Sequence, residues 1–369
     1  MAAKISEASK IGPTSAFFIP QAMQVGVGFI SFQQIVTDSP EQDGWISVLI
    51  NGLATLFVMW TMLSMLENEK KYGQADLFSL QCRLLGKRIG NIMNIVILCY
   101  ICFYTITYLR GFIEILQVEV FPQLSTFYFS LMFCFIIWYV VMGGIRNIFG
   151  TCLLSFIYAV PVFLSLLFII PHAHFSNLLP IMEHSPRAIL SSSFMATHEF
   201  LGFEYLMFFY PFIKQTKHAK RWAYFGLLNA LYIHLAIIIV TITFFSQGAL
   251  QATIWPTMTY WKSIHFPLFE HIDIIFCIIM LWNLIPSTSV CSWAMTRGIK
   301  SICPKIKMKY SIYGILILII LITSLIQNGE QIKEVHRLLV PVGFIVVYLY
   351  IPFLSFIQWL KKRLSGDHT

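Results

Sequence analysis

Ten apolar stretches, each long enough to cross a lipid bilayer, follow one another along the chain, and this pattern constrains the fold more than any other feature of the sequence. An α-helix needs about 20 residues to cross a hydrocarbon core of about 30 Å. The ten stretches lie at 14–37, 44–66, 91–113, 124–143, 148–171, 191–213, 221–247, 266–293, 310–327 and 338–360. With short loops they fill the 369-residue chain. We therefore predict an all-α polytopic membrane protein with ten transmembrane helices, forming a single transmembrane domain over residues 1–369.

The composition excludes the other large classes of protein. Charged residues make up 11% of the chain and hydrophobic residues 57%, whereas a soluble protein carries about 25% charged residues. A soluble enzyme, a nucleic-acid-binding domain and a disordered scaffold are therefore excluded. A membrane β-barrel is excluded as well, because its strands alternate in short segments. We expect no enzymatic activity, no cofactor, no metal and no nucleic-acid partner, since no phosphate loop, nucleophile elbow or zinc signature occurs.

The positive charges lie unevenly between the two sides of the predicted membrane domain. Of the 25 Lys and Arg residues, 20 lie at the termini and in the loops after the second, fourth, sixth and eighth stretches, four lie on the opposite side, and Arg110 lies near the end of the third stretch. The positive-inside rule then predicts that both termini are cytoplasmic in a multi-pass cell membrane protein. Residues 72–90 read as a basic amphipathic helix on the cytoplasmic surface of the bilayer.

Glycines interrupt the first apolar stretch in mid-span. Gly26 and Gly28 flank Val27, and each glycine in a helix interior costs about 1 kcal/mol relative to alanine. Close packing between helices is one interpretation, since small residues are common at membrane helix interfaces. A break in the helix is the other interpretation.

The sixth stretch carries a matching anomaly, which favours the break. Leu201, Gly202, Phe203 and Glu204 place a glycine and a carboxylate in mid-membrane, five stretches later. Interruptions at corresponding positions of two halves point to a transporter-type binding site. We therefore predict a five-plus-five inverted repeat with discontinuous helices 1 and 6, the repeats being residues 14–171 and 191–360.

The two predicted breaks would bring complementary groups to the membrane midplane. Amide groups at the start of the half-helix after the first break favour a carboxylate. Carbonyl groups freed at the second break favour an ammonium. Together they predict binding of a zwitterion, that is, an α-amino acid.

Side chains near the breaks have two interpretations each. Glu204 either binds ligand or caps the donors of the broken helix, and for Glu199 we favour a structural role. In the eighth stretch, Ser287 and Thr288 follow Pro286 and either satisfy carbonyls at a kink or line the pocket. Tyr104, in a stripe with Tyr108 on the third stretch, either packs or contacts the ligand.

These features together resemble a known family. Val25 to Phe29, and Gly202 to Glu204 followed by Phe209-Tyr210-Pro211, are similar to the amino acid–polyamine–organocation superfamily. The ten stretches, the length and the segment Leu84-Leu85-Gly86-Lys87-Arg88-Ile89-Gly90 resemble, more narrowly, the spore germination permease family, the B subunits of bacterial nutrient-germinant receptors.

The resemblance implies a location in the inner spore membrane and association with an A subunit and a lipoprotein C subunit. It implies a transporter-like receptor subunit that binds a small germinant, often an amino acid, between helices 1, 3, 6 and 8 and signals germination through its partners. In this chain, the implied ligand-binding residues are Gly26, Gly28, Leu201 and Gly202. The resemblance points less specifically to Tyr104 and to Ser287 or Thr288. An autonomous secondary amino-acid transporter is the alternative function.

Overall fold

The computed structural model describes residues 6–73, 75–264 and 271–364. Within these ranges the chain is helical and contains no β-strand, apart from one isolated backbone bridge between Ile11 and Ile213. The prediction of an all-α protein is therefore confirmed for the part of the chain that the structure describes.

The described residues contain seventeen α-helices. In chain order, α1 to α17 are Ser15–Gln24, Phe32–Thr37, Gly44–Glu69, Leu77–Leu85, Lys87–Glu119, Thr126–Met142, Ile145–Leu164, Pro186–Met195, Thr197–Phe200, Leu206–Phe209, Thr216–Phe244, Gln247–Ala252, Pro256–Lys262, Ile272–Ile302, Met308–Leu325, Gly329–Gly343 and Ile351–Leu364. Short 3₁₀ helices at Val27–Ile30 and Phe203–Tyr205 separate α1 from α2 and α9 from α10, and a π-helix, Phe344–Tyr350, joins α16 to α17.

Seven helical segments of the described chain are long and apolar enough to cross a membrane, so the protein is a multi-pass membrane protein. Their bounds are Glu41–Tyr72, Lys87–Glu119, Ile145–His172, Thr216–Phe244, Ile272–Ile302, Met308–Leu325 and Gly329–Leu364. The helix α6 is apolar but has only 17 residues. The predicted stretches 14–37 and 191–213 are divided into shorter helices. The count of ten spans and the inverted repeat stay predictions.

The buried core lies where the broken segments pack among the long helices. Phe203, Phe209 and Met23 are among the largest fully buried side chains. By contrast, α6 exposes apolar side chains such as Phe135 and Tyr139, as expected of a helix whose outer face contacts lipid tails. The breaks therefore occupy the protein interior, the only place where irregular backbone is tolerated at membrane depth.

The predicted amphipathic helix at 72–90 is shorter in the structure, because α4 ends at Leu85 and Gly86, with a φ of 83°, turns the chain into α5. The Asp76 carboxylate caps α4 by accepting a hydrogen bond from the Ser79 amide at 2.8 Å. Phe78 is buried and stacks on Phe208 of α10, with ring centroids 4.9 Å apart. One face of α4 thus packs on the broken sixth segment and does not lie on lipid.

The segment after α11 forms two short helices, α12 and α13, that cover one end of the first broken segment. Thr257 of α13 is buried and donates a hydrogen bond to the Phe29 carbonyl at 3.0 Å. The Trp261 indole donates to the Ser165 hydroxyl at 3.0 Å. The Thr257 bond satisfies a carbonyl beside the first break, so this segment both covers and supports the interrupted helix.

Candidate functional site

The first apolar stretch is interrupted where the sequence predicts. The backbone leaves the helical region at Val25, with ψ 76°, and at Gly26, with φ −128° and ψ −146°. A short 3₁₀ helix follows at Val27–Ile30, and the side chain of Val27 lies outside the described part of the structure. The break prediction is therefore correct for the backbone of this segment.

Gly28 is the point of closest approach to the sixth segment. An added Cβ atom would lie 2.4 Å from both carboxylate oxygens of Glu199. At Gly26 an added Cβ would meet only the Met23 carbonyl oxygen, at 4.0 Å. Of the two predicted glycines, only Gly28 is required for close contact.

The second break lies between α9 and α10. Leu201 adopts an extended conformation, and Gly202 has a φ of 111°, in the left-handed region that favours glycine. A Cβ at Gly202 would also lie 2.6 Å from Met23 Cβ. The side chains of Leu201 and Phe203 are buried and pack towards the 343–350 segment, against Gly343 and Tyr348. Gly202 thus brings the two interrupted segments into contact.

One side chain joins the two breaks directly. Gln24, the last residue of α1, donates from Nε2 to the Phe200 carbonyl, the last of α9, at 2.7 Å. The Gln24 Oε1 atom is buried and forms no hydrogen bond among the described residues. This bond supplies a donor for a carbonyl left free by the second break, and nothing in the sequence predicts it.

The Glu204 carboxylate is fully engaged within the second break. One oxygen accepts from the Tyr100 hydroxyl at 2.7 Å, and the other accepts from the Gly202 amide at 2.7 Å. Glu204 is buried. Of its two predicted roles, these bonds favour the cap of the broken helix, and its part in ligand binding stays a prediction.

The tyrosine stripe on α5 serves both breaks. Tyr104 donates to the Met23 carbonyl at 3.3 Å, and Tyr108 donates to the His198 carbonyl at 2.6 Å. Tyr100, one turn earlier, binds Glu204. Residues at this four-residue spacing share one helix face, so the stripe places three phenols beside the interrupted backbone.

The predicted residues of the eighth stretch lie within a continuous helix. The helix α14 runs through Pro286 to Ile302, and it contacts both short helices at the breaks. The Ser287 hydroxyl donates to the Leu284 carbonyl of its own helix at 3.0 Å, not to the Trp282 carbonyl that Pro286 leaves without its usual donor. Thr288 is buried in the same turn. A pocket role for either residue stays a prediction.

The group that sequence reasoning undervalued is Glu199, which is 2% exposed. Its Oε1 lies 2.8 Å from His198 Nε2, and its Oε2 lies 3.8 Å from His234 Nε2 on α11. Beyond these contacts within the cluster, no other described residue forms a hydrogen bond with Glu199 Oε1 or His234 Nε2. A signal was present in the sequence, since three ionisable side chains within predicted spans already indicate function.

A cavity of about 710 Å³ leads to the first break. We call it the vestibule; its lining includes Gly28, Tyr108, His198, Trp255, Lys333 and His336. Glu330 and Lys333 are exposed at its mouth. On the other side of the breaks, Phe209 stacks on Trp293 with ring centroids 4.5 Å apart, and both are buried. Access to the breaks is therefore open on one side and filled by aromatic rings on the other.

Comparison with known proteins identifies the family. Residues 10–332 match the spore permease family model, described as spore germination protein. The chain belongs to this family. It is 30% identical to spore germination protein GerQB of Bacillus cereus, over 96% of this chain and 97% of that protein. It is 23% identical to spore germination protein A2 of Bacillus subtilis (strain 168), over 92% of this chain and 93% of that protein.

A solved structure shows what kind of fold this family member adopts. The crystal structure of MhsT in complex with L-phenylalanine matches with a TM-score of 0.62 at 11% sequence identity, covering 93% of this chain and 87% of that chain. The likeness establishes a transporter fold. Neither this fold nor the spore germination family is an enzyme family.

Proposed function

We propose that the protein is a transporter-like nutrient-germinant receptor subunit, which binds a small germinant, an amino acid, at the membrane midplane and signals germination through partner subunits. The observation that carries the proposal is the contact between the two breaks. Gly202 lies against Met23, Gln24 bonds to the Phe200 carbonyl, and the vestibule reaches Gly28 beside them. Membership of the spore germination family gives the binding event its biological role.

The unpartnered polar atoms around the breaks support a zwitterionic ligand. Gln24 Oε1 is an acceptor for an ammonium group. Tyr205 Oη, beside the second break, can donate a hydrogen bond to a carboxylate. Its neighbour, the Cys291 thiol, is only a weak hydrogen-bond partner. A ligand that pairs with both atoms would remove the free-energy cost of leaving them buried and unsatisfied. MhsT, which shares the fold, is seen with an amino acid.

The wider architecture belongs to the same proposal. The chain would cross the inner spore membrane ten times, with residues 14–171 and 191–360 as inverted repeats and both termini in the cytoplasm. The vestibule would then open to the outside, because the segments after α11 and α15 line its mouth. An A subunit and a lipoprotein C subunit would complete the receptor.

Germination of a deletion strain tests the proposed function. Spores that lack this chain are expected to lose their response to at least one compound in a panel of amino acids, nucleosides and sugars, and to regain it on complementation. Loss of the A subunit should abolish the same response. A deletion strain that germinates normally on the whole panel would contradict a receptor role.

The shared fold with MhsT also favours a second function, autonomous secondary transport of amino acids. The test is uptake of radiolabelled amino acids by cells that express this chain without partner subunits. Saturable uptake above the level of an empty-vector control would favour the transporter. Absence of uptake, together with a partner-dependent germination response, would favour the receptor.

The proposed orientation predicts the accessibility of two cysteines. Ala252, at the exposed end of α12, should react as Ala252→Cys with a membrane-impermeant maleimide added to right-side-out vesicles. The native Cys303, exposed after α14, should react only after permeabilisation. Mass spectrometry of the labelled peptides distinguishes the two sites. Labelling of Cys303 in sealed vesicles, with Ala252→Cys protected, would reverse the topology.

A further inference from the structure

Three buried ionisable side chains meet behind the vestibule, and one of them, His198, lines it. Glu199 and His234 are almost completely buried, at 2% and 0% exposure, and His198 is 5% exposed. Glu199 Oε1 lies 2.8 Å from His198 Nε2 and Glu199 Oε2 lies 3.8 Å from His234 Nε2, and no other described residue forms a hydrogen bond with Glu199 Oε1 or His234 Nε2. Burying ionisable side chains costs free energy, and such side chains within membrane segments mark functional sites.

The hydrogen bonds at Nδ1 of each imidazole determine which ring nitrogen carries a hydrogen. His198 Nδ1 faces the Met195 carbonyl at 3.1 Å, and His234 Nδ1 faces the Ala230 carbonyl at 2.8 Å. A carbonyl only accepts, so each Nδ1 carries a hydrogen. Each Nε2, facing Glu199, then carries a hydrogen only when its ring is a cation.

The net charge of the cluster therefore depends on one exchangeable proton. Without it, Glu199 is an anion between two neutral rings and the charge is −1. One added proton brings the net charge to zero, either on an imidazole Nε2, which forms an ion pair with Glu199, or on the Glu199 carboxylate as a neutral acid. Because an uncompensated charge is expensive in a buried site, the neutral, singly protonated state is the stable one.

We propose that Glu199, His198 and His234 form a proton-binding site at the first break. The proton passes from hydronium in the vestibule to an imidazole Nε2, leaving water behind, and returns by the same path. His198 lines the vestibule and supplies the contact with solvent. The site is additional to the ligand contacts proposed above and does not depend on them.

The elements packed around the cluster add few other charges. From α16, the His336 ring lies 6.5 Å from the His198 ring, centroid to centroid. From α5, Tyr108 donates to the His198 carbonyl. Glu114 and Lys333, of opposite charge, line the vestibule. Because His336 is an imidazole next to His198, its NMR signal must be assigned separately.

The site is coupled to the break through Gly28. Both Glu199 oxygens occupy the space that a Cβ at Gly28 would need. A change in the charge of the cluster changes the force on Glu199, whose carboxylate lies against the backbone at Gly28. Proton binding is therefore expected to change how the sixth segment packs against the interrupted first segment at Gly28.

Nitrogen-15 NMR of the imidazole rings tests the site in the purified full-length chain, with the proton as the only ligand. In [¹⁵N]histidine-labelled protein, one cluster imidazole is expected to stay cationic at a pH where exposed histidines are neutral. His198→Asn, His234→Asn and His336→Asn assign the signals; at position 234 asparagine keeps a donor for the Ala230 carbonyl but lacks Nε2. Glu199→Gln should lower the titration midpoint by at least about one pH unit, the size expected from loss of an adjacent opposite charge.

Gly28→Ala and Gly26→Ala provide a matched pair of controls. The midpoint is expected to move in Gly28→Ala, which displaces Glu199, and to stay unchanged in Gly26→Ala. If Glu199→Gln does not fold, Glu199→Asp keeps the charge and should still show the cationic ring with a moved midpoint. Neutral rings at positions 198 and 234 throughout pH 5–8, or a cation that Glu199→Gln leaves unchanged, would overturn the proposal. No germinant is needed, so this result is independent of the receptor assignment.

Discussion

Gly28→Ala is expected to raise the half-maximal germinant concentration by about ten- to a hundredfold, whereas Gly26→Ala leaves it unchanged. The added methyl group at position 28 would lie 2.4 Å from the Glu199 carboxylate, whose neighbours His198 and His234 restrict its escape. Overpacking in a core costs about 1–3 kcal/mol, which corresponds to this range at 1.4 kcal/mol per tenfold. At Gly26 the nearest atom is 4.0 Å away.

The measurement is the dose–response of spores to the germinant that the deletion panel identifies, with the protein level determined by immunoblot. Gly28→Leu, with a much larger side chain, should abolish the response while the protein remains in the membrane. Equal responses from Gly28→Ala and Gly26→Ala, at equal protein levels, would remove Gly28 from the site. If both Gly28 variants were missing from the membrane, their loss of response would be due to misfolding and not to a changed binding site.

Glu204→Ala is expected to be severe and Glu204→Gln mild. Alanine removes both acceptors from the Tyr100 hydroxyl and the Gly202 amide, and each buried group left unsatisfied costs about 1–3 kcal/mol. Glutamine can accept from the Gly202 amide and donate to the Tyr100 hydroxyl, which accepts as well as donates. We expect at least a tenfold loss of sensitivity or of protein for alanine, and about threefold or less for glutamine.

Tyr100→Phe is the matched control for this pair, because it removes the phenol and leaves the Gly202 bond intact. Its dose–response should lie between those of the glutamine and alanine variants. A Glu204→Gln protein that reaches the membrane normally but has lost its response would show that the charge itself is needed. That result would support a direct role of Glu204 in ligand binding.

The positions of the breaks could be predicted because their signals are local. Glycine in an apolar helix is unusual wherever the helix lies, and Gly28 and Gly202 fall in corresponding stretches of the sequence. The apolar stretches themselves follow from bilayer thickness, so most helix bounds lie within a few residues of their predicted ends. The α4 helix differs because its length is set by Gly86 and by packing on α10.

The contents of the site could not be predicted in the same way, because they depend on contacts between distant segments. Glu199 and His234 are 35 residues apart in sequence, and whether they face each other depends on how α9 and α11 are rotated. Gly202, two residues earlier, makes Glu204 the stronger candidate in the sequence and Glu199 the weaker one. In the structure, the partners of Glu204 are a hydroxyl and a backbone amide close by in the break, whereas Glu199 faces two buried imidazoles, one of them on α11.

The stack of Phe78 on Phe208 joins α4 to α10, just after the second break. If a germinant occupies the breaks as proposed, a tilt of α10 would push α4 or separate the two rings, and α4 would respond to binding. The Arg83–Glu69 ion pair ties α4 in turn to the end of α3. In the proposed receptor, such a contact would let a chain that conducts no solute still signal, through α4, that its ligand is bound.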